Sequence, residues 1–461
     1  MNIERVIEAD VVVLGGGLAG HSAAVEVAKA GRQVVVLEKM DQVGGSTVLS
    51  GGSIAFAGTP HQQKQGINDS EELFRRDLEA CAGPGRSRDL IDVYLRHQKE
   101  AYELLLEFGV VFNEVQFSSN QSVPRSHPTP PARLIELMGQ LLHKLDGEVH
   151  TNTAARKLLR STDSDRRIVG VLAEQGGKQL EYRAKLGVII ATGGFSQGPA
   201  IMKMLAPHLV ENVLFTGGAG NQGDGLRMAW DHGAAIADID ALVPTFGALK
   251  EEALSEPNTI LLAYYRGGIV VNSDAQRFID ESKSYKSVGK ASLDQKGAYG
   301  VQIFDEKVMN LSVRSPKTLD FKLAYDKGRV IKADTIADLA RKAGLDAEAL
   351  ENTVEEYNEG IASNNDKFGR KHLAHTVGEA FPLVTAPYYA YVSVPYMAST
   401  YAGIHINSQM QVMDIWDRPI DGLYAAGEVV GGAHGKGYMT GTALGKAFIF
   451  GRCAAKAAMG L

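Results

Sequence analysis

The sequence predicts an α/β fold of three layers around a mainly parallel sheet, with a smaller α+β domain inserted late in the chain. Three observations carry this reading. The first 38 residues run apolar strand, glycine turn, helix, apolar strand and acid. The same style of glycine-punctuated strand returns after residue 376. Between 246 and 375 charge rises and glycine use loses its regularity. The expected boundaries are therefore 1–245 with 376–461 for a discontinuous main domain and 246–375 for the insert.

The opening elements are the most informative. The run Val11 to Leu14 leads into Gly15-Gly16-Gly17-Leu18-Ala19-Gly20, and a second run, Val34 to Leu37, ends at Glu38. Gly15 permits a tight turn, Gly17 lets backbone approach a pyrophosphate, and Gly20 lets the helix lie close to the sheet. The N-H groups at the helix start, around Leu18 and Ala19, face the phosphate. Glu38 stands where an acid can accept both hydroxyls of an adenosine ribose, with Lys39 beside it. This is a Rossmann-like dinucleotide site. A second cluster, Gly44-Gly45-Ser46-Thr47 and Ser50-Gly51-Gly52, follows at once and departs from a nicotinamide dehydrogenase; its small residues let a long cofactor lie flat on backbone.

Helical spacing marks 69–108 and 132–145, joined by a proline-rich connector from Arg125 to Pro131. Residues 149–190 alternate as strands, and the last stops in Ala191-Thr192-Gly193-Gly194, small residues that leave room for a cofactor. In the insert, Gly268 to Asn272 reads as a strand and 335–362 as helix. The main domain resumes with Ile404 to Asn407, then Gly422 to Glu428, and closes on a helix over 441–458.

Composition narrows the function. A net charge of −6 over 461 residues, without a basic stripe, argues against a nucleic-acid partner. No apolar stretch reaches membrane length, and the first apolar run is a strand of the fold rather than a leader, so a cytoplasmic protein without an integral membrane segment is expected. Cys81 and Cys453 are the only cysteines, which excludes iron-sulfur clusters and a cysteine zinc site. Asp414, Asp417 and Asp421 have turn spacing, so no metal is expected. Electrons must pass through one bound cofactor to an external acceptor or donor.

Taken together, these residues resemble the flavoprotein subunit family of fumarate reductase and succinate dehydrogenase, whose relatives include urocanate reductase and the 3-ketosteroid dehydrogenases. The matching motifs are the two glycine clusters, Ala191-Thr192-Gly193-Gly194, Thr216 to Gly225, Arg277-Phe278 to Glu281, Asp366 to Arg370, Ala425 to Glu428, and Gly441 to Leu444 leading to Phe450-Gly451-Arg452. The resemblance implies FAD and a cap domain inserted into an FAD-binding domain. It places Glu38 at the adenosine ribose, and Gly45, Ser46, Thr47, Gly51 and Gly52 along the pyrophosphate and flavin. Ala155 falls near adenine, Asp224 at a ribose or ribityl hydroxyl, and Glu428 at the ribityl chain. The helix start at Thr442, Ala443 and Leu444 faces the flavin pyrimidine edge, where a helix N-terminus stabilises the negative charge of reduced flavin. Relatives with covalent flavin have histidine at the place of Ser46, so a noncovalent FAD is expected.

The departures from the family set the expected chemistry. Fumarate reductases clamp a dicarboxylate with two arginines and two histidines; the corresponding places here hold Val243, Tyr285, Ser399 and Tyr438. Two carboxylates without cationic partners are costly to enclose, which disfavours a C4 dicarboxylate. The pattern is similar to the ketosteroid dehydrogenase branch, where a tyrosine matching Tyr285 removes a proton beside a ketone. A tyrosine matching Tyr438 and a backbone N-H matching Thr442 bind the carbonyl oxygen, and hydride passes to flavin N5. Lys283 and Lys286 could favour the Tyr285 phenolate. Ser399, Tyr401 and His434 are candidate substrate contacts, and Tyr388, Tyr389, Tyr391 and Tyr396 read as packing between domains. The expected substrate is a cyclic ketone or enone, either a 3-ketosteroid or a cyclohexanone-type ring. The alternatives are an enoate reductase whose carboxylate is held by Arg125 or Lys436, and an electron-transfer subunit with no small substrate.

Overall fold

The computed structural model describes residues 3–161, 166–250, 260–314 and 317–461. The chain divides into two compact units, Met1–Ala206 with Gly217–Leu242 and Ala398–Leu461, and Pro207–Thr216 with Val243–Met397.

The first unit is built on a sheet ordered Gln411–Met413, Pro419–Ala425, Lys178–Ile190, Ile3–Leu14, Val34–Leu37, Glu148–His150. All neighbours are parallel except the first pair. Val11 to Leu14 are fully buried, as a central parallel strand requires. The register aligns the strand ends: Leu14 pairs with Leu37 and with Ile190, Leu37 with His150, and Ile190 with Ala425. Gly15, Glu38, Ala191 and Ala426 therefore all leave the sheet at one carboxyl edge, where ligands bind in open α/β sheets. The hairpin Thr153–Arg160 and Ile168–Gln175 extends this sheet antiparallel to Lys178–Ile190.

Helices Leu18–Lys29 and Thr442–Met459 lie together beside the sheet. Glycine sets both contacts: a Cβ on Gly451 would stand 2.4 Å from Ala19 O of the first helix, and one on Gly20 would stand 1.9 Å from Gly15 O of the turn that leads into it. The helical stretch expected over 69–108 is two helices, Glu71–Ala82 and Arg88–Glu107. Gly83-Pro84-Gly85 breaks it, because proline cannot continue the hydrogen-bond ladder and Gly83 and Gly85 take positive φ. The connector before helix Pro131–Lys144 contains a strand, Ser126–Pro128, paired with Ser53–Ala55.

The second unit centres on strand Tyr388–Met397. It pairs with Thr245–Leu249, Gly300–Asp305, Ile331–Ala333 and Leu214–Phe215. These pairings explain why this unit takes in 207–216 and 376–397, beyond the 246–375 read from composition, which senses charge and glycine but not strand partners. Helices Ile336–Ala343 and Ala347–Ala362 bury Leu339, Leu350, Val354 and Tyr357 in the same core. Tyr389 and Tyr391 also belong to that core, Tyr389 stacking on Phe304 at 5.5 Å.

Candidate active site

At the carboxyl edge of the main sheet the glycine turn is held from two sides. Gly16 N-H donates to Glu38 Oε2 (2.8 Å), whose other oxygen accepts from Met40 N-H (2.9 Å). Gly15 has φ +109° and no room for a side chain, since a Cβ would lie 2.3 Å from Ala191 O. Gly17 is different: a Cβ there would meet nothing nearer than 3.9 Å, and one on Gly45 or Gly51 nothing within 4 Å. These three glycines line open space. Leu18 N-H donates to Thr47 Oγ1 (3.2 Å), which seats the short helix Gly45–Leu49 against the first helix. Gly52, at φ +71°, accepts from Thr129 N-H (2.9 Å). Neither the first nor the last helix carries a side-chain N-cap, since Gly17 and Gly441 occupy those places. Open room over backbone, an acid at the end of the second strand and two uncapped helix starts fit a dinucleotide with an anionic middle.

Behind this cradle the structure assembles a polar cluster that sequence reasoning saw only in part. Asn221 Nδ2 lies 2.8 Å from Ser46 Oγ and 3.2 Å from Glu428 Oε2, while Thr400 N-H donates to Glu428 Oε1 (3.0 Å). Gly193 and Gly194 are required here, because Cβ atoms would meet Asn221 Oδ1 at 2.4 Å and Glu428 Oε1 at 2.4 Å. Burial pushes the Glu428 carboxyl above its usual range, against the Thr400 N-H, Lys446 and Asn221. Asn221 sits inside the Thr216–Gly225 motif, the one available signal for it. Asp224 forms a 2.5 Å ion pair with Lys39 through Oδ2. Ala155 lies on the added hairpin, opposite Ala173.

Three of the predicted residues come together on the first unit. Tyr401 stacks on Tyr438 (5.2 Å, 18° between planes), and His434 meets both edge-on at 4.9 and 5.4 Å. Tyr438 Oη accepts from Gly441 N-H (3.2 Å), so the phenol lies at the start of the last helix. Burial raises the affinity of this phenol for its proton, with the Gly441 and Ala443 N-H groups acting in the opposite direction. Ser399 is half-buried and adjoins Thr400. The backbone donor expected from Thr442 is already in use: its N-H donates to Met439 O (3.2 Å) and its hydroxyl to the same oxygen (2.7 Å), because 439–442 closes a turn before the helix.

Two further residues shape this corner and gave no sequence signal. Asp238 Oδ2 accepts from both Gly432 N-H (3.0 Å) and Gly435 N-H (3.1 Å), bracketing His434. Lys446, one turn into the last helix, is 2 % exposed, and its Nζ donates to Val430 O (3.1 Å). With His434, Thr442 and Tyr94 it lines a small pocket. Burial lowers its pKa to about 8, despite the nearby charges of Glu428 and Asp238.

Of the two cations considered for a carboxylate substrate, Arg125 is already paired. Arg125 is fully buried with Asp69, at 2.8 Å through both Nε and Nη2, and with Asp77, and its guanidinium lies over Phe74. Such a guanidinium has no free face for a substrate acid. Lys436 is exposed.

On the second unit, Tyr285 opens helix Tyr285–Leu293 behind the N-cap Ser284. The segment before it is fixed by a buried network: Arg277 makes a two-pronged bond to Glu281 (2.8 and 2.7 Å) and reaches Asp366 (2.5 Å), while Arg370 contacts Glu281 (3.3 Å) and Tyr264 O (2.7 Å). Tyr285, Tyr265 and Tyr396 all act electrostatically on the buried phenol of Tyr264, which burial pushes well above its usual range. Lys286 donates to Val243 O at 2.5 Å. Among the described residues no cluster of His, Cys, Asp and Glu could hold a metal, and no helix is long and apolar enough to cross a membrane.

A family profile described as an FAD binding domain matches residues 10–444. Urocanate reductase of Eggerthella lenta is 30% identical over 435 residues, covering 92% of this chain and 70% of that protein. NADH:fumarate oxidoreductase of Klebsiella pneumoniae is also 30% identical over 435 residues, and there the chain spans only 45% of the relative. Among solved structures, the 3-ketosteroid-Δ4-(5α)-dehydrogenase of Rhodococcus jostii in complex with 4-androstene-3,17-dione is similar at a TM-score of 0.79 and 26% identity. That likeness covers 99% of this chain and 98% of the other.

Proposed function

Because the chain belongs to the FAD binding domain family and binds FAD, we propose that it is an FAD-dependent oxidoreductase acting on a C=C bond conjugated to the carbonyl of an uncharged ring, a 3-ketosteroid or a cyclohexanone-type enone. Bound FAD supplies the two-electron exchange, taking up or giving a hydride. In this reading Gly15, Gly17, Gly20, Gly45, Thr47, Gly51 and Gly52 hold the pyrophosphate, Glu38 the adenosine ribose, Glu428 with Ser46 and Asn221 the ribityl region, and the start of the last helix the flavin ring.

The observation that carries the substrate class is the Tyr401, His434 and Tyr438 cluster. Tyr438 Oη already accepts an N-H from the helix start, so its own proton is the one it can donate to a carbonyl oxygen. Donation there stabilises negative charge on that oxygen when the neighbouring carbon loses or gains a proton. Tyr401 and His434 pack on the Tyr438 ring and hold it in place. For the proton at carbon the proposal names Tyr285. With the Thr442 N-H engaged at Met439 O, Tyr438 serves as the carbonyl donor without that second N-H. The electron partner is proposed to be external, a quinone, carrier protein or oxygen.

One observation favours a second reading. The sequence relatives named above are a urocanate reductase and an NADH:fumarate oxidoreductase, which supports an enoate substrate bound through Lys436; the buried pairing of Arg125 speaks against its share in that role. Anaerobic titration decides between them. Bleaching of the flavin by a saturated cyclic ketone or 3-ketosteroid, lost in Tyr285→Phe and Tyr438→Phe with FAD retained, supports the first reading. Reoxidation of dithionite-reduced enzyme by fumarate, urocanate or acrylate, with no response to any ketone or enone, refutes it.

A further inference from the structure

Lys446 is the buried charge that the proposed chemistry leaves unused. A lysine 2 % exposed needs a counter-charge, yet this ammonium makes no salt bridge among the described residues, and its hydrogen bond is to the neutral Val430 carbonyl (3.1 Å). The two nearby acids are committed. Asp238 accepts from Gly432 N-H and Gly435 N-H and from Arg86 (3.4 Å), which also grips Asp240. Glu428 accepts from Thr400 N-H and Asn221. The protein thus buries a cation one turn behind the uncapped start of the last helix and offers it no dedicated anion.

We infer that Lys446 is a positioning residue for charge: its ammonium completes its balance with the negative charge that reduced flavin carries, and so makes bound FAD easier to reduce. This deepens the proposal above and rests on its placement of the flavin ring at the start of the last helix. Lys446 gives up neither electron nor proton; its contribution is a fixed field in a low-dielectric surround, where a unit charge acts over several ångströms. The helix start adds partial positive charge of the same sign from its N-H groups.

The test is the oxidised-to-reduced ratio of the purified holoenzyme, equilibrated anaerobically with a reference dye and read by flavin absorbance. Lys446→Met and Lys446→Gln are each expected to shift that ratio at least tenfold toward oxidised FAD, about 30 mV for a two-electron couple. Lys446→Arg should stay near wild type. Gln keeps a donor for Val430 O, so a shift in Met but not in Gln would assign the effect to packing and overturn the inference. Ala443→Glu, which puts an acid at the helix start, checks the placement separately. If it shifts the ratio while the neutral Lys446 variants do not, the flavin is where proposed and Lys446 has no part in its potential. If none of the variants shifts the ratio, the placement of the flavin is itself wrong.

Discussion

Replacing Lys446 by methionine should make the protein more stable at neutral pH. The ordinary lysine pKa of 10.5 falls to about 8 in the folded chain because burial disfavours the ammonium. At about 1.4 kcal/mol per tenfold change in proton affinity, holding Lys446 charged in the fold costs about 3 kcal/mol. Methionine removes that cost but leaves Val430 O without its donor, a loss of about 1–2 kcal/mol. The net gain expected at pH 7 is about 1–2 kcal/mol, a rise in melting temperature of roughly 2–4 °C. The pH dependence carries the sign. Between about pH 8 and 10.5 the folded wild type has released this proton and the unfolded chain still holds it, so wild-type stability rises with pH across that window. The methionine variant has no such rise. Thermal melts of the oxidised holoenzyme, with equal excess FAD, should therefore show the variant ahead at pH 7 and its lead closing toward pH 10. A variant less stable at pH 7, by a margin that does not change with pH, would refute the reasoning.

Three other outcomes follow from the same geometry. Gly20→Ala should abolish FAD binding or soluble folding, since its Cβ would lie 1.9 Å from Gly15 O; FAD retained after gel filtration at wild-type stoichiometry would contradict this. Arg125→Met should lose about 3–5 kcal/mol of stability, because Asp69 and Asp77 lose their buried cation, and thermal melts against wild type measure it. Asp238→Ala frees the Gly432 and Gly435 N-H groups that bracket His434, so kcat should fall tenfold or more with FAD content unchanged; steady-state kinetics beside a flavin spectrum checks this.

The main sheet and its cradle were legible because their signals are local. Val11 to Glu38 states strand, turn, helix, strand and acid within one stretch, and Gly15 and Gly20 have the steric reasons assigned to them. The break at Gly83-Pro84-Gly85 was also written in the sequence, but helical spacing on either side masked it. What escaped notice depends on partners distant in the chain. Asn221 matters through Ser46 and Glu428, Asp238 through two amides some 200 residues later, and Lys446 through a carbonyl that only the folded chain brings to it. Arg125 misled for the same reason: a lone arginine reads as available until Asp69 and Asp77 close on it. Thr442 was assigned a donor that its own turn consumes.

The pairing of the first and last helices has a consequence for how the polypeptide is made. Helix Leu18–Lys29 leaves the ribosome well before its partner, Thr442–Met459, since 426 positions separate Ser22 from Phe448, whose carbonyl accepts from its hydroxyl. The glycine turn must therefore wait, until translation has passed residue 442, for the surface that covers its helix. Strand Pro419–Ala425, which takes its place beside Lys178–Ile190, arrives almost as late. Cofactor capture is thereby deferred until residues 442–459 are made, and a nascent chain stalled before residue 442 would present an apolar, unfilled cradle to chaperones and proteases.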